Sequence, residues 1–369
     1  MDAGNDQLRT SAIDKKCHHL NYNEVKKSLL FFIMIVLGFI SCKKEKPDPP
    51  PKPTEVDVYV SGASSNAVSE ITAKYWKNGQ PTALSDGTTY AYAVSIALAG
   101  SDIYVAGYEI SASGKYVAKY WKNGQAVTLT DGTNDAYTNC IAVAGSDVYV
   151  AGYEKNGSDK YVAKYWKNGH AVSLTDGTKD AWAWSIFIVG SDVYVAGTEA
   201  NDVVYVAKYW KNGQAISLTD GTKDGHAFSI AIAGSDVYVA GNEHNGSVWV
   251  VKCWKNGQAI SLTDGTQNGD AFSIAIAGSD VYVAGFESDG SVDVAKYWKN
   301  GQAISLTDGT KNANAFSIAI AGSDVYVAGH EESNNSMDVA KYWKNGSPVI
   351  LSDASIQSSQ AFSVFLATK

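Results

Sequence analysis

Arginine is almost missing from this chain of 369 residues, because Arg9 is the only one and lysine supplies the remaining positive charge. The formal net charge is -8 at pH 7, and no run of lysines follows residue 55. Binding to a nucleic-acid backbone needs a concentrated basic surface. The composition therefore predicts no nucleic-acid partner.

Cysteine is also scarce, and its spacing excludes the usual metal motifs. The four cysteines are Cys17, Cys42, Cys140 and Cys253, and they form no CxxC pair and no Cys/His pattern typical of zinc sites. Cys140 and Cys253 stand at different points of distant repeats, where other copies carry serine and tyrosine, so a disulfide between them is not expected. No metal or cofactor is predicted.

Long apolar runs are limited to the twelve residues from Leu29 to Ile40. Twelve residues are too few to cross a bilayer as a helix but suit the core of a secretion signal. Two lysines precede this run and Ser41-Cys42 follow it, an order that resembles a bacterial lipoprotein signal of the Bacteroidota type, although Phe39 stands where leucine is usual. The resemblance implies a palmitate-type lipid on Cys42 and anchoring in the outer membrane of the cell envelope, on its periplasmic or surface face. An uncleaved anchor or a buried helix is the alternative.

Proline is confined mainly to residues 43–55, which hold five of the seven prolines. Proline at this density favours an extended spacer and cannot build a core. We therefore divide the chain into an N-terminal extension with its signal peptide (1–41), a lipidated cysteine with its linker (42–55) and a folded array (56–369).

The array is built on the hexapeptide Lys-Tyr-Trp-Lys-Asn-Gly, which occurs seven times with small variations. Its tryptophans are Trp76, Trp121, Trp166, Trp210, Trp254, Trp298 and Trp343, so the period is 44 or 45 residues. A period of this length is typical of proteins in which each repeat forms one supersecondary unit.

Each repeat predicts four short strands, which in the middle of the chain begin at Phe228, Val237, Val248 and Gln258. Valine, isoleucine and tyrosine dominate these segments, and the Asn-Gly pair suits the positive dihedral angles of a two-residue hairpin. A glutamate after the second strand and a lysine in the third recur together in six repeats, as Glu109 and Lys119 do. They predict a cross-strand ion pair.

Four antiparallel strands every 44 or 45 residues resemble the blade of a β-propeller. The first repeat starts at its second strand, Val56 to Gly62, and the last ends with an additional first strand, Phe362 to Ala367. The resemblance implies an all-β, seven-bladed propeller that closes by pairing these two strands. An open solenoid, the rival architecture, would need polar caps at both ends. The signatures of WD40 and kelch blades are lacking, so no family active site is transferred.

The seven copies also show which positions differ among the blades. Most strand and turn residues barely vary, whereas the hairpin tips between the second and third strands differ, and so does one position just ahead of the first strand. That position is occupied in turn by Tyr92, Tyr137, Trp182, His226, Asp270, Asn314 and Gln360. In propellers the first strand lines the central channel, so the resemblance implies a rim of these residues at the channel mouth, with Trp184 and Asn139 close by.

This rim carries aromatic rings on three blades and hydrogen-bonding groups on four, a combination that suits a sugar or another small polar ligand with an apolar face. Drift after duplication is the alternative. We therefore expect a monomeric, envelope-anchored binding module for a glycan, a small polar ligand or a peptide, without enzymatic activity. A protein-interaction scaffold is the second hypothesis.

An enzyme, a hydrolase or lyase, is the third hypothesis. His226 and Asp270 on adjacent blades are the only general base and orienting carboxylate that the pattern offers. No distinctive nucleophile or glutamate pair accompanies them. The recurring Asp-Gly of the Leu-Thr-Asp-Gly-Thr segment is interpreted as a turn former rather than a calcium ligand.

Overall fold

The computed structural model of the protein describes residues 55–65, 70–351 and 358–369. The predicted signal peptide, Cys42 and all of the linker except Glu55 lie outside the described residues. None of the described residues belongs to a helix with the length and apolarity needed to cross a bilayer.

The described residues form seven four-stranded antiparallel sheets, one for each repeat, which confirms the predicted propeller. In hydrogen-bonded order from the first strand to the fourth, blade 1 contains β28 (Ser358–Thr368), β1 (Val56–Ser65), β2 (Ile71–Lys77) and β3 (Gln80–Ala83), and blade 2 contains β4 (Ala91–Ala99), β5 (Asp102–Ile110), β6 (Tyr116–Lys122) and β7 (Gln125–Thr128). Blade 3 contains β8 (Ala136–Ala144), β9 (Asp147–Lys155), β10 (Tyr161–Lys167) and β11 (His170–Ser173), and blade 4 contains β12 (Ala181–Val189), β13 (Asp192–Ala200), β14 (Tyr205–Lys211) and β15 (Gln214–Ser217). Blade 5 contains β16 (Gly225–Ala233), β17 (Asp236–His244), β18 (Trp249–Lys255) and β19 (Gln258–Ser261), and blade 6 contains β20 (Gly269–Ala277), β21 (Asp280–Ser288), β22 (Asp293–Lys299) and β23 (Gln302–Ser305). Blade 7 contains β24 (Ala313–Ala321), β25 (Asp324–Glu332), β26 (Asp338–Lys344) and β27 (Ser347–Ile350).

The strand boundaries correct the sequence prediction in two ways. The first strand of each blade begins earlier than expected, at Gly225 rather than Phe228 in blade 5, so the diversified residue His226 lies inside the strand and not ahead of it. The fourth strand is only four residues long, as in Gln258–Ser261, and its residues are exposed. Short edge strands of this kind limit edge-to-edge association.

The invariant Asn-Gly pair forms the predicted hairpin turn between the third and fourth strands. In blade 1, Asn78 and Gly79 have φ angles of 51° and 83°. The Asn78 side chain accepts the backbone N–H of Val58 at 2.8 Å and donates to Asp57 at 2.9 Å. Equivalent side-chain contacts to the second strand recur in the other six blades, and they explain why asparagine is retained there.

The tryptophan of each hexapeptide packs into the core between two blades. All seven are 1–2 % exposed. Trp166 of blade 3, for example, packs with Ala106 and Ala118 of blade 2. A Cβ added to Gly107 of the second strand would lie 1.9 Å from the Tyr92 carbonyl oxygen and 2.7 Å from the Trp121 ring. Burial of the indole and close approach of the backbone therefore account for the uniform tryptophan and glycine.

The ring closes as predicted, because β28 pairs with β1 over their full lengths. Serines of the first strands also link neighbouring blades. The backbone N–H of Val364 donates to the Ser317 hydroxyl at 3.1 Å, and that of Ile96 donates to the Ser363 hydroxyl at 3.5 Å. The C-terminal strand is thus bonded to the blades on both of its sides.

The predicted ion pairs between the second and third strands are present in six blades. Lys164 and Glu154 are 2.5 Å apart, and Lys252 and Glu243 are 3.5 Å apart. All members of these pairs are half-buried except Lys341, which is buried. As opposite charges on neighbouring strands, each pair contributes about 0.2–1 kcal/mol.

Candidate functional site

The residues nearest the propeller axis come from a β-bulge in each first strand. The extra residue of each bulge lines the axial space, and these residues are Val94, Asn139, Trp184, Phe228, Phe272, Phe316 and Phe362. Their rings contact one another, as Phe272 and Phe316 do at a centroid distance of 5.3 Å. The remaining axial space is about 110 Å³. Ligand pockets usually measure about 300–1,000 Å³, so the space at this level of the axis is smaller than a usual ligand site.

The diversified leading residues lie beside this bulge, two positions earlier in the same strand. Each one pairs with a residue of the second strand of its own blade. Five of them also contact the second or third strand of the preceding blade, namely Tyr137, Trp182, His226, Asp270 and Gln360. Tyr137 shows both relations, because its ring centroid lies 5.0 Å from Tyr153 of its own blade and 5.0 Å from Tyr108 of the preceding one. The leading residues are therefore connected through side chains that the sequence analysis did not single out.

We call the resulting set of residues the junction belt. It consists of the seven leading residues, the second-strand residues paired with them and the first residues of the third strands. The second-strand members are Ala63, Tyr108, Tyr153, Thr198, Asn242, Phe286 and His330, and the third-strand members are Ile71, Tyr116, Tyr161, Tyr205, Trp249, Asp293 and Asp338. Sixteen of these 21 residues are half-buried, Ala63, Thr198, Asn242 and His330 are buried, and Tyr205 is exposed.

The expectation that strand residues barely vary is wrong at these two additional positions. The second-strand position holds six residue types in seven blades, as many as the leading position, and the third-strand position holds four. Aligning the residue after the strand-two glycine, and the residue that opens strand three, would have revealed them in the sequence. What the sequence could not supply was the register, which brings the three positions together across a blade boundary.

One part of the belt is a continuous set of aromatic rings, which we call the aromatic arc. Its members are Tyr92, Tyr108, Tyr116, Tyr137, Tyr153, Tyr161, Trp182 and Tyr205, and each ring lies within 6.5 Å of the next, centroid to centroid. Burial raises the pKa of both Tyr137 and Tyr108. Their hydroxyls therefore remain protonated donors at neutral pH.

Other members of the belt, on blades 5, 6, 7 and 1, carry hydrogen-bonding groups, and we call this set the polar arc. Its members are Asn242, Asp270, Asp293, Asn314, His330, Asp338 and Gln360. The Asn242 amide donates to the Asp270 carboxylate. Burial raises the pKa of Asp270 to about 6, against the opposing effect of this hydrogen bond. This carboxyl group therefore titrates close to neutral pH.

A second polar contact lies where the polar arc reaches blade 1. The Gln360 amide donates to Asp338 at 2.5 Å, and His330 Nε2 lies 3.5 Å from the same carboxylate. Burial lowers the pKa of His330, so its ring is neutral at pH 7. These groups present both hydrogen-bond donors and acceptors.

His226 and Asp270, which the sequence offered as a possible base and its orienting carboxylate, are bonded to different neighbours. His226 Nδ1 lies 3.2 Å from the Thr198 hydroxyl, whereas Asp270 accepts from Asn242. Burial lowers the pKa of His226. The geometry thus places each residue in a junction of its own and not in one catalytic pair.

The junction between blades 1 and 2 contains an open cleft of about 330 Å³. In blade 1 the second-strand and third-strand positions of the belt are occupied by Ala63 and Ile71, whereas the equivalent positions of blade 2 are occupied by Tyr108 and Tyr116. The cleft is lined by Ala63, Ser64, Ser65, Ile71, Tyr92, Ser358, Ser359 and Gln360. Small side chains at two belt positions therefore leave a space beside the Tyr92 ring and the Gln360 amide.

The recurring Asp-Gly-Thr segment acts as a turn. The Asp131 carboxylate accepts the backbone N–H of Thr133 at 2.9 Å and its hydroxyl at 2.7 Å, and the same pair of bonds occurs in six blades. Within residues 55–65, 70–351 and 358–369, no group of three or more His, Cys, Asp or Glu side chains is placed to hold a metal ion. In the same part of the chain, Cys140 and Cys253 are free thiols.

No protein-family model matches the chain, and no curated protein matches it in sequence. Solved structures that are similar to it include TolB from Acinetobacter baumannii, with 10% identity, a TM-score of 0.43, and coverage of 85% of this chain and 67% of that one. The β-propeller domain of the trilobed protease from Pyrococcus furiosus has 10% identity, a TM-score of 0.38, and coverage of 72% and 98%. A puromycin-hydrolyzing peptidase from Mycobacterium tuberculosis has 10% identity, a TM-score of 0.42, and coverage of 72% and 53%. Such distant similarity adds nothing to the architecture that the seven sheets themselves establish.

Proposed function

We propose that this propeller is a binding module that recognises a glycan, or another small polar ligand with an apolar face, at the junction belt. One observation carries the proposal. Three strand positions that differ among otherwise uniform repeats lie side by side at the junctions between blades, although they come from different strands and blades. Drift alone would be expected at freely exposed positions, whereas all but one of these residues are half-buried or buried.

The chemistry of the belt fits such a ligand. Aromatic faces bind the C–H face of a sugar ring, and amides and carboxylates bind its hydroxyl groups. The aromatic arc and the polar arc meet at the cleft between blades 1 and 2, where Tyr92 supplies a ring and Gln360 an amide. The volume of about 330 Å³ lies within the usual range of ligand sites, about 300–1,000 Å³.

The proposal is tested with residues 53–369, the compact unit that holds every described strand. A glycan array identifies the ligand, and calorimetry then measures its affinity for the wild type, for Tyr92→Ala, which removes the ring of the cleft, and for Gln360→Ala, which removes its amide. Loss of an aromatic stacking surface should weaken binding by about tenfold or more. Tyr165→Ala is the matched control, because Tyr165 is a half-buried tyrosine outside the belt.

Unchanged affinity in both belt variants would place the ligand elsewhere. Absence of binding to any glycan or small polar probe would contradict the function itself. Circular dichroism of each variant separates a lost contact from a lost fold.

We further propose that the propeller is held at the cell envelope by a lipid on Cys42. The basic flank, short apolar run and Ser41-Cys42 support this, and the proline-rich residues 43–55 would act as a spacer. Expression in bacteria with an alkyne-bearing palmitate should label the wild type and not Cys42→Ser. Equal labelling of both proteins would contradict the proposal.

A protein partner is the second candidate, and the loop between β13 and β14 favours it. Val203 at its tip is 84 % exposed, and Tyr205 beside it is 40 % exposed. A partner that binds wild type and Trp182→Ala equally but fails to bind Val203→Ser would support this alternative. A partner retained by Val203→Ser would contradict this use of the loop.

A further inference from the structure

The third strand of six blades carries a tyrosine at one position where blade 5 carries a cysteine. These residues are Tyr75, Tyr120, Tyr165, Tyr209, Tyr297 and Tyr342, against Cys253 in β18. The position faces the next blade. The junction that follows blade 5 therefore contains a cysteine side chain where the other six junctions contain a tyrosine ring.

The junction between blades 6 and 7 shows where the tyrosine normally lies. Tyr297 is 9 % exposed and packs in one cluster with Tyr282, Leu306, Val325, Val327 and Trp343. Burial and the neighbouring Tyr282 raise the pKa of the Tyr297 hydroxyl, and the charge of Lys299 lowers it. Because Lys299 acts on this pKa, the hydroxyl lies near Lys299. The ring is thus enclosed by apolar groups while its polar end points toward a lysine.

The equivalent residues between blades 5 and 6 line a cleft of about 200 Å³ instead. Its apolar walls are Tyr238, Leu262, Val281, Val283 and Trp298, with Cys253 and Ile260 on one side and Lys255 and Asn300 among the polar lining residues. Each of the first five corresponds to a member of the cluster that encloses Tyr297. The cleft is therefore the space that a tyrosine side chain fills elsewhere in the ring.

The residue paired with Cys253 in the neighbouring strand is also less well packed than its counterpart in blade 6. Ile260 pairs with Cys253 and is 51 % exposed, whereas Ile304, which pairs with Tyr297, is 37 % exposed. The smaller side chain has uncovered apolar surface in addition to opening the cleft. Filling the cleft would remove both surfaces from water, which is favourable.

We propose that this cleft binds a neutral single-ring aromatic molecule of phenol size, with the ring against Trp298 and Val283 and the hydroxyl toward Lys255. The ring takes the place of the missing tyrosine ring. Preformed apolar cavities of about 150 Å³ are large enough to bind benzene. Burial raises the pKa of the Cys253 thiol to about 11, so the thiol stays uncharged, and the charge of the lining residue Lys255 is paired with Asp236 at 2.8 Å.

The experiment uses residues 53–369 and 4-fluorophenol as the probe, with binding followed by fluorine NMR and calorimetry. The wild type should bind at a single saturable site. Cys253→Tyr fills the cleft with the side chain that the other blades carry, so affinity should fall by about tenfold or more. The fold should tolerate this change, because six blades already contain it.

Tyr209→Cys is the matched gain-of-site variant. Tyr209 packs beside Tyr194, Ala227 and Trp254, the same type of environment, so its removal should open a second cleft and about double the amount of probe bound at saturation. Binding that persists in Cys253→Tyr, a wild type that does not bind the probe, or a Tyr209→Cys protein that binds no more than wild type would each overturn the proposal. None of these results depends on the junction belt.

Discussion

The aromatic arc and the polar arc occupy the same backbone positions in neighbouring parts of one ring, yet their side chains are held in place by different forces. Rings of the aromatic arc rest on one another, as Tyr108 and Tyr137 do, and their hydroxyls stay protonated over the physiological range. The polar arc depends on hydrogen bonds to carboxylates such as Asp270, whose pKa is about 6. The repeat thus fixes the backbone and leaves the chemistry of each junction to three side chains.

The comparison also shows what a change of side-chain size does when the backbone is constant. Between blades 2 and 3 the three belt positions hold Tyr108, Tyr116 and Tyr137, and the rings contact one another. Between blades 1 and 2 they hold Ala63, Ile71 and Tyr92, and a cleft of about 330 Å³ remains. A propeller of near-identical repeats can therefore acquire a site when two large side chains are replaced by smaller ones.

The largest effects should come from the framework that both arcs share. Trp166 lies beneath the aromatic arc and Trp343 beneath the polar arc, and each is 1 % exposed. Replacement by alanine should reduce the free energy of unfolding by about 3–5 kcal/mol in both cases, as measured by the urea midpoint. A much smaller effect at one of them would show that the two arcs rest on unequal cores.

This framework is the part of the molecule that the sequence predicts well. The period of the tryptophans, the Asn-Gly turns and the incomplete first and last repeats together fix blade number, strand number and closure, because each has one local physical meaning. The leading residues could be found by comparing the copies. The same comparison shows that the positions of Tyr108, Asn242 and Asp338 differ, but not that these residues contact the leading residues, because a bulge in the first strand and the packing of adjacent blades decide which side chains meet.

The next effect separates the arcs by pH. Because the folded-state pKa of Asp270 is raised by burial from 3.8 to about 6, the folded protein holds this proton more tightly than the unfolded chain does. Its contribution to stability is complete below about pH 4 and is lost as the pH rises through about 6, by about 3 kcal/mol. Urea titrations at several pH values should show this loss in the wild type relative to Asp270→Asn.

The aromatic arc supplies the control for this measurement. Tyr137→Phe removes a hydroxyl that does not titrate in this range, so its stability should follow the wild-type pH profile with a constant offset. If the pH profile of the stability of Asp270→Asn ran parallel to that of the wild type, the carboxyl group of Asp270 would not be buried enough to raise its pKa. In that case the two arcs would be equally insensitive to pH.

A smaller effect is expected where the two arcs meet. Ala63→Tyr introduces into the open junction the residue that blade 2 carries as Tyr108, so the cleft should close and the affinity for the ligand of the belt should fall by about tenfold, or about 1.4 kcal/mol. Thr198→Tyr adds the same ring at the equivalent position of blade 4 and should leave affinity within about twofold. Equal losses in both variants would indicate a general disturbance of the belt and not a filled site.

The smallest effect concerns the junction between blades 5 and 6, which belongs to the polar arc. Its cleft beside Cys253 is unfilled, whereas tyrosine occupies the same position in the third strands of the blades that carry the aromatic arc. Cys253→Tyr restores the ring that six blades carry and buries Ile260 more deeply, so stability should rise by about 0.5–2 kcal/mol. Cys140→Ser is the control, because it also restores the residue of the other repeats but fills no cleft of this kind, and its gain should be smaller. If Cys253→Tyr were instead destabilising, the backbone between blades 5 and 6 would have to be closer than between the others, and the assumption of one constant framework beneath both arcs would fail.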